Sequence, residues 1–292
     1  MQRLTGPEML HYWRLHDQRW GNIDYSRDPE GLTNICTPGQ PIWLGRYYAR
    51  FQRLVYERLL TLVPYPSPGM RALDVGCGAA RWCDLLARRG YGVTGIDIQP
   101  TLIAENRRRF PDIEFVEAPL QEFARRERFD LVSSVTVLQH LPFDEQARGV
   151  TRLRDLTALG GHAVVLENIR HQAPDRFART VTDWKSLFEN MGFRTVALQP
   201  YNYSLALGVC GRLRALVSAG AGEQRAGLRV ESVVAARQDG EGSESLPHEL
   251  LRLSHRTLLR LAVVVDTRAE PLLIGRRTPF APTNCGFLFQ SV

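Results

Sequence analysis

Lysine is almost missing from this sequence: of its 37 basic residues, Lys185 is the only one. The formal charge of +6 and the pI of about 9.3 therefore rest on arginine, spread in pairs and triplets such as Arg107-Arg108-Arg109. A nucleic-acid surface gathers its cations on one face or stripe, so this scatter argues against a nucleic-acid partner. Cysteine is scarce as well, with five widely separated residues. The closest pair, Cys77 and Cys83, has the spacing of neither a zinc site nor a redox pair. No disulfide framework follows, and a reducing cytoplasm is expected. Runs of 18 apolar residues are lacking, which excludes a transmembrane helix on length. Met1-Gln2-Arg3-Leu4-Thr5-Gly6-Pro7 has no apolar core, so no secretory signal is expected. Nor does any His, Asp and Glu grouping carry ligand spacing, and a metal-independent protein is expected.

What remains is ordinary for a globular chain of 292 residues, 44% hydrophobic and 23% charged. The first 65 residues read as helical and aromatic, over Pro7 to Trp20 and then Ile42 to Val63, with Trp43, Tyr47, Phe51, Leu54, Leu59 and Leu62 at helical spacing. The prolines at 64, 66 and 68 end the second helix. From Met70 short apolar strands alternate with amphipathic helices. Strands are expected at 71–75, 92–97, 113–117, 129–134, 162–167 and 193–199, and helices at about 79–89, 100–109, 120–126, 144–158 and 181–191. That alternation predicts an α/β fold with a mostly parallel sheet and helices on both faces. Such sheets bind ligands beyond the carboxyl ends of their strands. Past Tyr201, helices are expected at 205–219 and 247–262, a strand or helix at Val230 to Ala235, a mobile loop from Gln238 to Ser245, and a last strand from Cys285 to Val292.

The strongest signal is Leu73-Asp74-Val75-Gly76-Cys77-Gly78. Two glycines let the chain turn tightly off the first strand and bring backbone N–H groups against a ligand. The following helix presents its positive N-terminus there. Asp97, at the end of the second strand, stands 21 residues after Gly76, the spacing at which a carboxylate accepts both hydroxyls of a ribose. Arg81 occupies the third glycine position of a dinucleotide fingerprint, which disfavours NAD or FAD.

These residues resemble class I, Rossmann-like S-adenosylmethionine-dependent methyltransferases, in order from about Met70 to Arg194. The resemblance implies S-adenosyl-L-methionine as cofactor and S-adenosyl-L-homocysteine as its product. Leu73–Gly78 is similar to the family's first motif, with the loop around the methionine part and Asp74 near its ammonium; Gly76, Cys77 and Gly78 line it. Gly95-Ile96-Asp97-Ile98 is similar to the second, with Asp97 on the ribose. Phe129–Pro142 looks like the fourth-strand motif beneath the sulfonium, and includes Ser134. Where family members often place an acid for the adenine amino group, this chain has Pro119. Backbone at Ala118 and Leu120, with the Gln121 side chain, is then the expected adenine contact. The family sheet has seven strands with one antiparallel strand at an edge, and Cys285–Val292 is expected to supply it.

The implied organisation is an N-terminal helical cap or lid (1–65), a cofactor-binding core (66–204), a mainly helical insertion (205–281) and the last strand (282–292). His140, just past the fourth strand, is the candidate general base, because a neutral imidazole takes a hydroxyl proton near pH 7. Glu167, His171, His11, Tyr12 and His16 are candidate substrate contacts. Trp13, Trp20 and Trp184 read as packing, and Arg46 as a surface arginine. No Asp-Pro-Pro-Tyr or Asn-Pro-Pro-Tyr follows the fourth strand, which turns the reading from planar nitrogens toward a small-molecule hydroxyl on a natural product, a sugar or a lipid- or carrier-linked glycan. N- and C-methylation and a non-catalytic cofactor-binding subunit are the alternatives. The arginine-rich insertion suits an acceptor cap, a peripheral membrane contact or a homodimer interface.

Overall fold

The computed structural model describes residues 6–15, 22–34, 41–170, 176–202, 261–269 and 282–292. Helices α1 (Gly6–Leu15) and α2 (Ile42–Leu60) precede β1 (Arg71–Val75), with a 3-10 turn at Leu32–Asn34 between them. There follow α3 (Arg81–Arg88), β2 (Gly92–Asp97), α4 (Pro100–Arg109), β3 (Glu114–Glu117) and β4 (Phe129–Val135). A 3-10 turn (Leu138–His140) then leads to α5 (Phe143–Leu156), β5 (Thr157–Asn168), α6 (Val181–Asn190) and β6 (Phe193–Tyr201). A helix over 261–269 (α7) precedes β7 (Asn284–Ser291).

The seven strands form one sheet in the order β3-β2-β1-β4-β5-β7-β6. β7 runs antiparallel to both neighbours, and the other strands pair parallel. Winding reverses between β1 and β4, which opens a crevice at their carboxyl ends. Alternate residues of β1 enter different cores. Ala72 joins Val55, Tyr56, Trp82 and Leu86, whereas Leu73 and Val75 join Val132, Leu153, Phe287 and Phe289. Both faces are covered, so the strands are apolar throughout rather than alternating. α2 packs across the first face, and Gly286 on β7 lets it approach: a Cβ there would stand 3.0 Å from Leu59 Cδ1.

Local signals place most element ends. α4 starts with Pro100 in its first turn, and α6 with a capping box between Thr180 and Asp183. Three expectations are corrected. The C-terminal strand is antiparallel but does not form the edge; it inserts between β5 and β6, leaving β6 outermost. The helix expected at 120–126 is a single turn, in which the Pro119 carbonyl accepts from the Glu122 and Phe123 N–H groups at 3.1 and 3.0 Å. Burial of Phe123, together with the bond its carbonyl accepts from Arg152, fixes the chain in that turn. β5 starts earlier than expected, at Thr157, with a register shift before its pairing resumes at His162. The expected elements at 205–219, 230–235 and 238–245, and 247–262 apart from its last two residues, lie outside the described residues. No described helix is long and apolar enough to cross a membrane.

Candidate active site: the crevice between β1 and β4

Gly76 and Gly78 turn the chain off β1 with φ of +65° and +50°. They do so for different reasons. A Cβ on Gly76 would overlap the Val137 side chain, whereas one on Gly78 would meet nothing within 4 Å. Gly76 thus lets the β1 and β4 loops touch, and Gly78 leaves an open face for a ligand. Cys77 between them is buried, and its N–H donates to the Ile96 carbonyl at 2.9 Å.

Asp97 reaches across to this loop. Its Oδ2 accepts from the Gly78 N–H at 2.9 Å and its Oδ1 from the Gln99 N–H at 3.0 Å. Each carboxylate oxygen keeps further acceptor capacity for a hydroxyl. Ile98 follows it, half-buried. Asn106, on the buried side of α4 with Leu102 and Ile103, donates from Nδ2 to the Gly78 carbonyl at 2.7 Å. Sequence reasoning missed Asn106. The signal was there, since helical spacing from Leu102 and Ile103 put a polar side chain on an apolar face.

Asp74 lies beneath the loop, 1% exposed. Its Oδ2 accepts from the Cys83 thiol at 3.4 Å. Burial pushes its pKa up to about 7, against the pull of Ser133, Cys83 and Arg81. Buried polar atoms bordering this crevice with no hydrogen-bond partner include Asp74 Oδ1, Gln99 Oε1, Asn106 Oδ1, Ser133 Oγ and Ser134 Oγ. Ser134 is paired in register with Val75, the residue before the glycine loop. Buried polar groups are normally bonded, and such orphans beside the glycine loop fit a polar, nucleoside-bearing ligand. The donor set fits S-adenosylmethionine: the Asp97 carboxylate has acceptor capacity for ribose hydroxyls and Gly78 leaves an open face, while Asp74 is buried beneath the loop.

The adenine end departs in part from expectation. The Ala118 N–H is engaged with the Asp97 carbonyl at 3.0 Å, the Leu120 side chain is buried in the core, and Gln121 donates to Glu145 at 3.3 Å. Pro119 contributes only its carbonyl, already used in the turn. The Leu120 N–H takes no part in a backbone hydrogen bond.

On the β4 side the backbone turns at Thr136, with φ of +58°. A β-branched residue there is strained by about 1–3 kcal/mol. Glu167 holds the next turn. It is fully buried, and its carboxyl accepts from the N–H groups of Val137, Leu138 and Gln139 at 3.2, 2.9 and 3.1 Å. This corrects its assignment as a substrate contact: both oxygens are committed to the backbone. Burial pushes its pKa up to about 8, against those three bonds.

Gln139 takes the Asn168 N–H on Oε1 at 2.8 Å, so its amide nitrogen is the donor toward His140 Nε2, 3.2 Å away. With Nε2 as the acceptor, a neutral ring would carry its proton on Nδ1. α1 brings Trp13 against His140, ring centroids 4.7 Å apart, and Tyr12 packs edge-on to Trp13 at 5.3 Å. His11 is exposed on the same helix. His16 and His171 lie outside the described residues. A second N-terminal segment packs beside the glycine loop at Ala79. There Arg109 donates to the carbonyls of Ala79 (3.3 Å) and Pro29, with its guanidinium 3.8 Å from the Tyr25 ring centroid. Among the described residues no three His, Cys, Asp or Glu side chains group as metal ligands.

Sheet order, the single antiparallel strand, the glycine loop and the acid ending β2 define a class I, Rossmann-like methyltransferase fold. Residues 72–161 match the family model described as a methyltransferase domain. Over that segment the chain is similar to class I S-adenosylmethionine-dependent methyltransferases, whose cofactor is S-adenosylmethionine. It is 32% identical over 167 residues to a trans-aconitate 2-methyltransferase of Rhizobium etli, covering 54% of this chain and 64% of that one. The chain spans about half the length of the curated relatives it matches. A magnesium protoporphyrin IX methyltransferase of Synechocystis PCC 6803, crystallised with S-adenosylmethionine, aligns over 65% of this chain and 88% of its own, with a TM-score of 0.50 and 16% identity. A (4+2)-cyclase aligns over 99% of both chains, with a TM-score of 0.53 and 14% identity. At these identities the two structures speak for the fold.

Proposed function

We propose that this protein transfers a methyl group from S-adenosylmethionine to a hydroxyl of a small-molecule acceptor, a natural product, a sugar or a lipid- or carrier-linked glycan, with His140 taking the proton. The observation that carries the cofactor half is the open Gly78 face beside Asp97, whose carboxylate accepts from the Gly78 N–H at 2.9 Å. A small acceptor is in keeping with the relative named for trans-aconitate.

S-adenosylmethionine supplies a methyl group on a cationic sulfur, open to in-line displacement. The chain's task is to align, to exclude water and to handle one proton. Alignment can contribute about 7–11 kcal/mol. Asp97 and the Leu120 N–H fix the nucleoside end, the glycine loop the amino-acid end, and α1 with Trp13 screens the crevice from solvent. The Gln139 amide stands 3.2 Å from His140 Nε2, the nitrogen that would take the proton. As a base His140 exchanges that contact for the acceptor hydroxyl, for a gain of about 10²–10⁴-fold.

Calorimetric titration with S-adenosylmethionine, S-adenosylhomocysteine and NAD, on wild type and Asp97→Ala, tests the cofactor half. Binding of the first two, much weakened in the variant and absent for NAD, is expected. No binding of either would overturn it. His140→Ala should keep cofactor affinity and lose rate on a hydroxyl acceptor; full activity in that variant removes the base assignment.

A further inference from the structure

Apart from the glycine crevice, a second cavity of about 480 Å³ lies between α2 and α7, lined by Arg50, Val264, Thr267 and Arg268. That volume lies in the range of small-molecule sites. Several surface arginines are paired along their own helices, as Arg53 with Glu57, Arg88 with Asp84 and Arg108 with Glu105. Arg50 and Arg268 have no hydrogen-bond or ion-pair partner among the described residues. Among the described residues no carboxylate lines the cavity with them. The one acid of α7, Asp266, is 1% exposed and shares the buried side of the helix with Ala262, one turn away. Two like charges facing one space repel, if weakly where both are exposed, and an anion between them removes that cost.

The cavity stands at the ligand-binding end of the sheet. Two residues after Arg50, Gln52 accepts from Arg81, the first residue of α3, at 2.8 Å. The far end of α2 meets the far end of α3, where the Leu60 carbonyl accepts from Arg89 at 2.8 Å. Both helices therefore run away from the strand carboxyl ends, and Arg50 lies toward the end where β1 opens into the glycine loop.

We propose that Arg50 and Arg268 form an anion-binding site for a carboxylate or phosphate carried by the methyl acceptor. Two planar guanidinium forks suit either group. Thr267 adds a neutral hydroxyl donor and Val264 an apolar wall. Linking the anion to the acceptor rests on the methyltransferase reading; binding of the anion does not.

The test is titration of the full chain with inorganic phosphate and with citrate, at fixed ionic strength in chloride. Wild type is compared with Arg50→Gln and Arg268→Gln. Saturable binding of at least one probe, weakened about tenfold or more by either substitution, is expected. The two probes separate a phosphate preference from a carboxylate preference. No saturable binding of either probe, or binding indifferent to both substitutions, overturns the site. S-adenosylmethionine is titrated alongside. If it fails to bind while the arginine-dependent anion binding persists, the methyltransferase reading fails and the anion site stands.

Discussion

The indole of Trp13 meets the imidazole of His140 edge to face, with ring centroids 4.7 Å apart and planes at 77°. This contact joins the N-terminal helix to the loop after β4, two parts of the chain more than a hundred residues apart. Such aromatic pairs are worth about 0.5–1.5 kcal/mol beyond burial. Trp13→Ala should therefore lower kcat/KM for the acceptor by roughly three- to tenfold, with cofactor affinity little changed and Trp13→Phe close to wild type. Steady-state kinetics beside cofactor titration decides it. A collapse in cofactor affinity instead would assign Trp13 to the cofactor site.

Gly76→Ala and Gly78→Ala should fail in opposite ways. A methyl on Gly76 overlaps Val137, so stability should drop by about 1–3 kcal/mol as the two loops are forced apart. A methyl on Gly78 meets nothing in the protein. Its cost is mainly the positive φ, about 1–2 kcal/mol, and the new methyl stands on the open face. Cofactor affinity should fall at least about tenfold there, more than the stability loss accounts for. Thermal denaturation and calorimetry on both variants separate the two effects.

Arg109 fastens residues 22–34 to the glycine loop through Ala79, Pro29 and Tyr25. Lysine keeps the charge but cannot stack and reach both carbonyls. Arg109→Lys should speed amide exchange at Leu32–Asn34 and weaken S-adenosylmethionine severalfold, while exchange in β4 and β5 stays unchanged. Uniform acceleration across the sheet would mean a purely global destabilisation.

Glu167 imposes a pH dependence whose sign is fixed by burial. Its pKa rises from 4.5 to about 8 on folding. Between those values the folded state holds a proton that the unfolded chain releases. Stability is therefore full below about 4.5 and is lost as pH rises toward 8, at up to about 1.4 kcal/mol per pH unit. Asp74 acts in the same direction from 3.8 to about 7. Denaturant unfolding at pH 5, 6.5 and 8 should show the decline. Glu167→Gln should be flat above pH 7, and less stable at pH 5 because an amide cannot accept all three N–H groups. An undiminished slope in that variant would assign the pH dependence elsewhere.

The strand and helix alternation, the glycine loop and Asp97 were legible because each is a local pattern. Strand period, helix spacing, a proline at a helix start and glycines at a tight turn act between near neighbours in the chain. The departures share one physical cause. Whether Cys285–Val292 forms the edge or inserts beside β5 depends on pairings such as Leu166 with Gly286, remote in sequence. Glu167 ends its strand like a residue facing the crevice, yet three N–H groups from the β4 loop turn it inward. Asn106 looks like a flaw in an apolar helix face until the Gly78 carbonyl is found against it. The sequence by itself determined the elements, the crevice-forming loop and the class of cofactor. Only the tertiary structure decided which polar side chains remain for a ligand and which are spent on the backbone, because that depends on the groups folding brings to each of them.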